Sequence, residues 1–260
     1  MTKVLLPWML GLLSGVSLLA CQTSTPVTTT PATNTATDSA PPSPTPTATT
    51  TTPASDKTPS DITGTYTVKG TNMDGSRYEG KLAISPLTTD SGNVYTLNWD
   101  TGNTFEGIGI LRGNMLSVGW GSKTCTIVAY ETNDKNLDGQ WVTIDQPKLG
   151  TEMATRASSD TADSLAGSYA VTGKNPNGDP YSGTLVIKQQ GLVYQFSWQT
   201  GDTFEGIGIK QGDAVAVGWG TKPSDRCAVV SYIVEPGGTL SGTWGVYGQD
   251  KVGIETATRQ

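Results

Sequence analysis

Residues 101–121 read TGNTFEGIGILRGNMLSVGWG, and residues 200–220 read TGDTFEGIGIKQGDAVAVGWG. The two stretches align without insertion or deletion, which marks a tandem duplication of one structural unit. The likeness extends outward from them. GTY at 64–66 aligns with GSY at 167–169, LDGQW at 137–141 with LSGTW at 240–244, and GTEMATR at 150–156 with GIETATR at 253–259. One copy therefore covers 61–156, the other 164–260, and a short Ser/Ala/Asp linker at 157–163 joins them.

Each copy divides into eight short segments separated by turn residues. In the first copy they start near Gly64, Arg77, Val94, Thr104, Met115, Cys125, Leu137 and Gly150. Period-2 alternation places Tyr78, Leu82 and Ile84 on one face of their segment, then Tyr95, Leu97 and Trp99, then Leu116, Val118 and Trp120,. Glycine at 113 and 212, between two apolar runs, suits tight hairpins,. No long apolar helical pattern occurs. The fold class expected is all-β: two tandem eight-stranded antiparallel up-and-down barrels, one per copy, with closure removing exposed edges. A two-sheet sandwich is the alternative.

Gly-x-aromatic on the first strand with an arginine at the end of the last resembles the calycin superfamily of barrels, lipocalins and avidins among them. There the arginine packs over the aromatic at the closed end. The resemblance implies that Gly64, Tyr66 and Arg156 fill those structural roles in one barrel, and Gly167, Tyr169 and Arg259 in the other. Tyrosine stands where the usual aromatic is tryptophan. The repeat pattern is also similar to exported bacterial proteins labelled fibronectin-binding, through Gly-x-Tyr, Glu-Gly-Ile-Gly-Ile, Gly-Trp-Gly and Leu-x-Gly-x-Trp.

Ahead of the repeats, residues 1–20 have a short basic start at Lys3 and an apolar run, the pattern of an export signal,. The run ends Leu18-Leu19-Ala20-Cys21. This resembles the lipobox of bacterial lipoproteins, and implies cleavage before Cys21 and its lipidation, palmitate included. Multiple acyl chains suffice for stable membrane anchoring. Residues 22–60 are almost wholly Thr, Pro, Ala and Ser, without an aromatic. Such a tract cannot offset its ordering entropy, so 21–60 is expected to be the lipidated cysteine and a disordered tether. Its ceiling reach is ~120 Å at ~3.1 Å per residue. The expected location is the cell envelope, outside the cytoplasm, on an outer membrane if the cell has one.

Net charge is −6, with residues 61–156 and 157–260 each contributing −3 and signs interspersed, and no basic block offers itself to nucleic acid,. The chain has no histidine, which removes the commonest general base and metal ligand,. No Cys/His cluster supports a metal, and no cofactor is expected.

Glu106 and Glu205 share alternation with Ile108/Ile110 and Ile207/Ile209. With those isoleucines inward, each glutamate lies at a barrel mouth, paired with an arginine or tyrosine, or meeting a ligand. Gly107, Gly109, Gly206 and Gly208 make room for a neighbouring Trp or bend the strand. Trp99, Trp120, Trp198 and Trp219 recur in both copies, either as core or as walls of a ligand pocket. Cys125 and Cys227 occupy equivalent places, facing outward. Two separate thiols is the default; a disulfide would have to join the two barrels, with Cα atoms within ~7 Å. No catalytic constellation emerges. The expected function is non-enzymatic binding of an extracellular protein, such as a fibronectin-like matrix component, or a glycan. A carrier of a small apolar or sugar ligand, or a passive envelope scaffold, is the alternative.

Overall fold

The computed structural model describes residues 61–88, 92–133, 135–157, 164–220, 225 and 227–260. The export signal, Cys21, the tether and most of the linker lie outside the described residues. Sixteen strands follow in order: β1 (Gly64–Thr71), β2 (Arg77–Pro86), β3 (Val94–Asp100), β4 (Thr104–Arg112), β5 (Met115–Trp120), β6 (Cys125–Asn133), β7 (Asn136–Thr143), β8 (Gln146–Arg156), β9 (Gly167–Lys174), β10 (Pro180–Gln190), β11 (Val193–Gln199), β12 (Thr203–Gln211), β13 (Ala214–Gly220), β14 (Ala228–Val234), β15 (Leu240–Val246) and β16 (Gly253–Arg259). The expected turns separate them, and all pairings are antiparallel.

The strands close into two eight-stranded barrels, as the class expected from sequence requires, but the barrels are not the repeats. One barrel runs β1-β2-β3-β4-β5-β14-β15-β16, and the other β6 through β13. The chain leaves the first barrel after β5, builds the whole second barrel, and returns at β14. We call the first the split barrel and the second the continuous barrel. Each takes five strands from one repeat and three from the other, so the boundaries 61–156 and 164–260 describe the duplication and not the folded bodies. The reason is chemical equivalence. β5 meets β14 with Val118 opposite Val230 and Leu116 opposite Tyr232, while β13 meets β6 with Val217 opposite Val128 and Val215 opposite Tyr130. The final three strands of either copy present nearly the same side chains, so either can complete either barrel.

Three apolar clusters result. Leu82, Ile84, Leu97, Leu116, Val118, Val230 and Leu240 fill the split barrel. Val128, Leu137, Leu185, Ile187, Phe196 and Val217 fill the continuous one. The third lies between the barrels and contains Ile108, Ile110, Ile127, Val142, Ile207 and Ile209. The isoleucines of the duplicated Gly-Ile-Gly-Ile thus point out of their barrels, not in. The inward positions belong to the glycines: a Cβ on Gly107 or Gly206 would sit 3.0 Å from the ring of Trp99 or Trp198. Room for a tryptophan is the role their sequence context suggests. Arg112 adds a polar tie between the barrels, donating to the carbonyls of Ala129 (3.1 Å) and Asp138 (2.7 Å) and pairing with Glu131 (3.1 Å).

At the closed ends the arginine-over-tyrosine arrangement is present, with partners exchanged between repeats. The Arg259 guanidinium lies 5.5 Å from the Tyr66 ring centre and donates to the Tyr66 hydroxyl (3.1 Å); Arg156 lies 4.8 Å from Tyr169. The pairs are therefore Tyr66 with Arg259 and Tyr169 with Arg156, correcting the within-repeat assignment. Gly64 packs against Arg259, its absent Cβ 4.0 Å from that side chain. Gly167 begins β9 at a φ of 155°.

Cys125 and Cys227 form a disulfide, with Cα atoms 5.4 Å apart. The default of two separate thiols is thereby corrected. The strand exchange explains the proximity, because Cys125 opens the strand that enters the continuous barrel and Cys227 precedes the strand that returns to the split one. The bridge closes a loop spanning 102 residues. A loop of that size restricts the unfolded chain strongly, so replacing both cysteines by serine should lower stability by about 2–4 kcal/mol in urea unfolding. The denatured wild-type chain, kept from reductant, should weigh two hydrogens less than the reduced chain.

Candidate functional site

Each barrel carries a cup at the end opposite its arginine. In the split barrel the cup has a volume of about 210 Å³ and is lined by Glu255, Tyr78, Tyr232, Trp99, Trp120 and Trp244, among others. In the continuous barrel it measures about 230 Å³, with Glu152, Tyr181, Tyr130, Trp198, Trp219 and Trp141 in the same roles. The interiors are therefore packed towards the closed ends and hollow at the others.

The strands place these rings by pairing them with glycine. Tyr78 stands opposite Gly70, Tyr232 opposite Gly242, and Trp244 opposite Gly253; Tyr181 faces Gly173, Tyr130 faces Gly139, and Trp141 faces Gly150. The ring lies flat over the bare backbone. A Cβ on Gly253 would stand 2.2 Å from Trp244, and one on Gly150 would stand 2.3 Å from Trp141. The recurring glycines of the repeat are thus the seats of its aromatics.

At the base of each cup lies a carboxylate. Glu255 is 6% exposed and Glu152 7%. Glu255 accepts from the Tyr232 hydroxyl, from Tyr78 (2.8 Å) and from Trp99 Nε1 (3.1 Å). Glu152 accepts from the Tyr130 hydroxyl, from Tyr181 (3.0 Å) and from Trp198 Nε1 (3.1 Å). In both, Oε1 takes two donors and Oε2 takes one. Every such group draws on both repeats: Glu255 and Tyr232 come from the second, Tyr78 and Trp99 from the first, and the reverse holds in the other barrel.

Burial raises the Glu152 pKa above its ordinary 4.5, against the opposing pull of its Tyr130, Trp198 and Tyr181 hydrogen bonds. All four tyrosine hydroxyls are also pushed up, by burial first and then by the adjacent carboxylate, so they stay protonated donors. A folded-state pKa above the unfolded one means the folded state holds more protons through that window. The Glu152 contribution to stability is therefore full below pH 4.5 and lost as pH rises through its raised pKa,. Unfolding midpoints across that range should show this slope, and Glu152→Gln should remove it.

The glutamates singled out in the sequence lie elsewhere. Glu106 is exposed on the outer face of β4, because Ile108 and Ile110, which share its alternation, face the other barrel. Glu205 shares that outer face and accepts from the Ser197 hydroxyl (3.0 Å). Neither reaches a cup. Trp99, Trp120, Trp198 and Trp219 all line the cups. The carboxylates missed from sequence, Glu152 and Glu255, had a readable signal: both stand four residues before the closing arginine, in step with it and with a buried alanine. Among the described residues, no group of three or more Cys, Asp or Glu is placed to hold a metal ion.

Comparison of the chain with protein-family models, curated proteins and solved structures gave no match. The functional reading accordingly rests on the cups.

Proposed function

We propose that the protein is a membrane-tethered binding protein that holds one small organic ligand in each of its two cups. The observation that carries this reading is the pair of matching hollows of about 210 and 230 Å³. Each is walled by aromatic rings and based on a hydrogen-bonded carboxylate, the composition of a small-molecule site: mostly apolar walls with a few fixed polar groups. Of the binding readings the sequence raises, the carrier gains support over capture of a matrix protein, because the recurring side chains converge on an interior space rather than on an outer face. Lipidation at Cys21, with the Thr/Pro tract as tether, supplies the envelope location within this proposal. Two linked sites raise effective concentration for a ligand displayed more than once.

Native mass spectrometry of residues 61–260, purified from an exporting host, tests the reading together with a tryptophan-emission titration against a panel of small metabolites. Extra mass lost on denaturation, or a saturable emission change, is expected. No retained mass and no response across the panel would overturn it.

A further inference from the structure

The chemistry of the cup walls narrows the ligand class, on the premise that the cups bind small molecules at all. Trp120 stands in the split barrel as one wall of a box. Its ring centre is 5.2 Å from Phe105 at 73° and 6.2 Å from Trp244 at 70°, and Trp99 lies tilted at 6.4 Å. The continuous barrel repeats the arrangement around Trp219: Phe204 at 5.2 Å and 77°, Trp141 at 6.1 Å and 77°, Trp198 at 6.4 Å. All of these rings line the cups, and a ring face carries negative potential,.

The polar groups add to that sign. Three of about four acceptor positions of each carboxylate are taken by tyrosine and tryptophan donors, which fix it in place without cancelling its charge,. Among the described residues, no lysine or arginine lines either cup, while Asp202 joins the rim of the second. An anionic ligand would meet the carboxylate and the ring faces with no cationic side chain among the described lining residues to offset them. For a neutral sugar, the hydroxyls of Tyr78, Tyr232, Tyr130 and Tyr181 and the Nε1 groups of Trp99 and Trp198 already serve the glutamates, which leaves Trp244 Nε1 and polar lining residues such as Asn72 and Asn175.

We infer that each cup is a site for a small alkylammonium ion, caged by the Trp120 or Trp219 wall and its neighbours, with Glu255 or Glu152 as the counter-charge. Ring faces attract a desolvated cation, and quaternary ammonium groups are recognised in this way. The single remaining acceptor position on Oε2 suits a cation that needs charge and ring faces more than hydrogen bonds. A cup of this volume takes a head the size of a trimethylammonium group with a short polar tail.

The test is a tryptophan-emission titration of residues 61–260 with three probes: choline, its neutral carbon isostere 3,3-dimethylbutan-1-ol, and methyl β-glucoside. Choline should saturate the signal and bind at least about tenfold more tightly than the isostere. The double variant Glu152→Gln/Glu255→Gln keeps an acceptor for the tyrosine and tryptophan donors. With its fold checked by circular dichroism, it should lose that preference. Should the isostere or the glucoside bind as well as choline, the ammonium inference fails while small-ligand binding stands. It fails in the same way if no probe binds but native mass spectrometry finds a retained ligand. If no probe binds and no mass is retained, both fail. The probe series on the wild-type chain decides the matter even if the variant does not fold.

Discussion

Gly119→Ala is expected to destabilise the protein by about 3 kcal/mol or more, the upper end of what overpacking costs. Gly119 lies on the outer face of β5, where the first strand of the other barrel crosses it. A Cβ there would stand 2.0 Å from the Thr126 carbonyl oxygen and 2.7 Å from its carbon. Both are backbone atoms of a paired strand, so no rotamer change relieves the clash. Gly218 is the counterpart, its Cβ position 2.3 Å from the Ala228 carbonyl oxygen. These are the glycines that precede Trp120 and Trp219 in Val-Gly-Trp-Gly, and they let the chain pass between barrels at backbone contact. Thr104→Ala, exposed on β4, serves as the control and should change stability by less than about 0.5 kcal/mol. Urea midpoints of the variants and the wild type check this. A Gly119→Ala chain as stable as wild type would mean that β5 and β6 do not cross as described.

Glu255→Ala should cost about 3 kcal/mol, and Glu152→Ala a similar amount. Each removes the acceptor from one fully buried tyrosine hydroxyl, one partly buried one and a tryptophan N–H. Of these, Trp99 keeps the Tyr232 hydroxyl (3.3 Å) and Tyr181 the Thr151 carbonyl (3.3 Å) as second acceptors. A buried donor left unsatisfied costs roughly 1–3 kcal/mol, and water entering from the cup offsets part of that sum. The glutamine variants preserve an acceptor and should retain most of the stability. Chemical denaturation separates the two outcomes. Equal effects of alanine and glutamine would show that the hydrogen bonds at the cup base contribute nothing.

The strand pattern was legible because turn residues punctuate it: starts expected at Gly64, Arg77, Val94, Thr104, Met115 and Cys125 are the starts observed. The exchange of strands was not legible, and for a definite reason. Within one barrel Val118 can pair with a valine of its own repeat or with Val230 of the other, and duplication makes the alternatives nearly identical in side chain. Only Gly119 and Gly218, which tolerate a crossing strand, betray the passage. The side chain at 106 was misplaced for a related reason. Ile108 and Ile110 looked like core and are core, but of the interface between barrels, so alternation from them sent Glu106 to the wrong face. A strand apolar on both faces defeats period-2 reading. The cups were half legible. Their tryptophans recur visibly, whereas Glu152 and Glu255 gain meaning only once Tyr78, Tyr181, Trp99 and Trp198 of the opposite repeat are brought to them.

The central claim is that each barrel is completed by the other repeat. Cross-strand nuclear Overhauser contacts at β5 test it most directly, using the isotope-labelled chain. The structure predicts main-chain contacts from Leu116 and Val118 to Tyr232 and Val230 on β14, and from Val215 and Val217 to Tyr130 and Val128 on β6. Contacts from Val118 to Val128 in their place, with β13 paired to β14, would show two self-contained repeats and contradict the exchange.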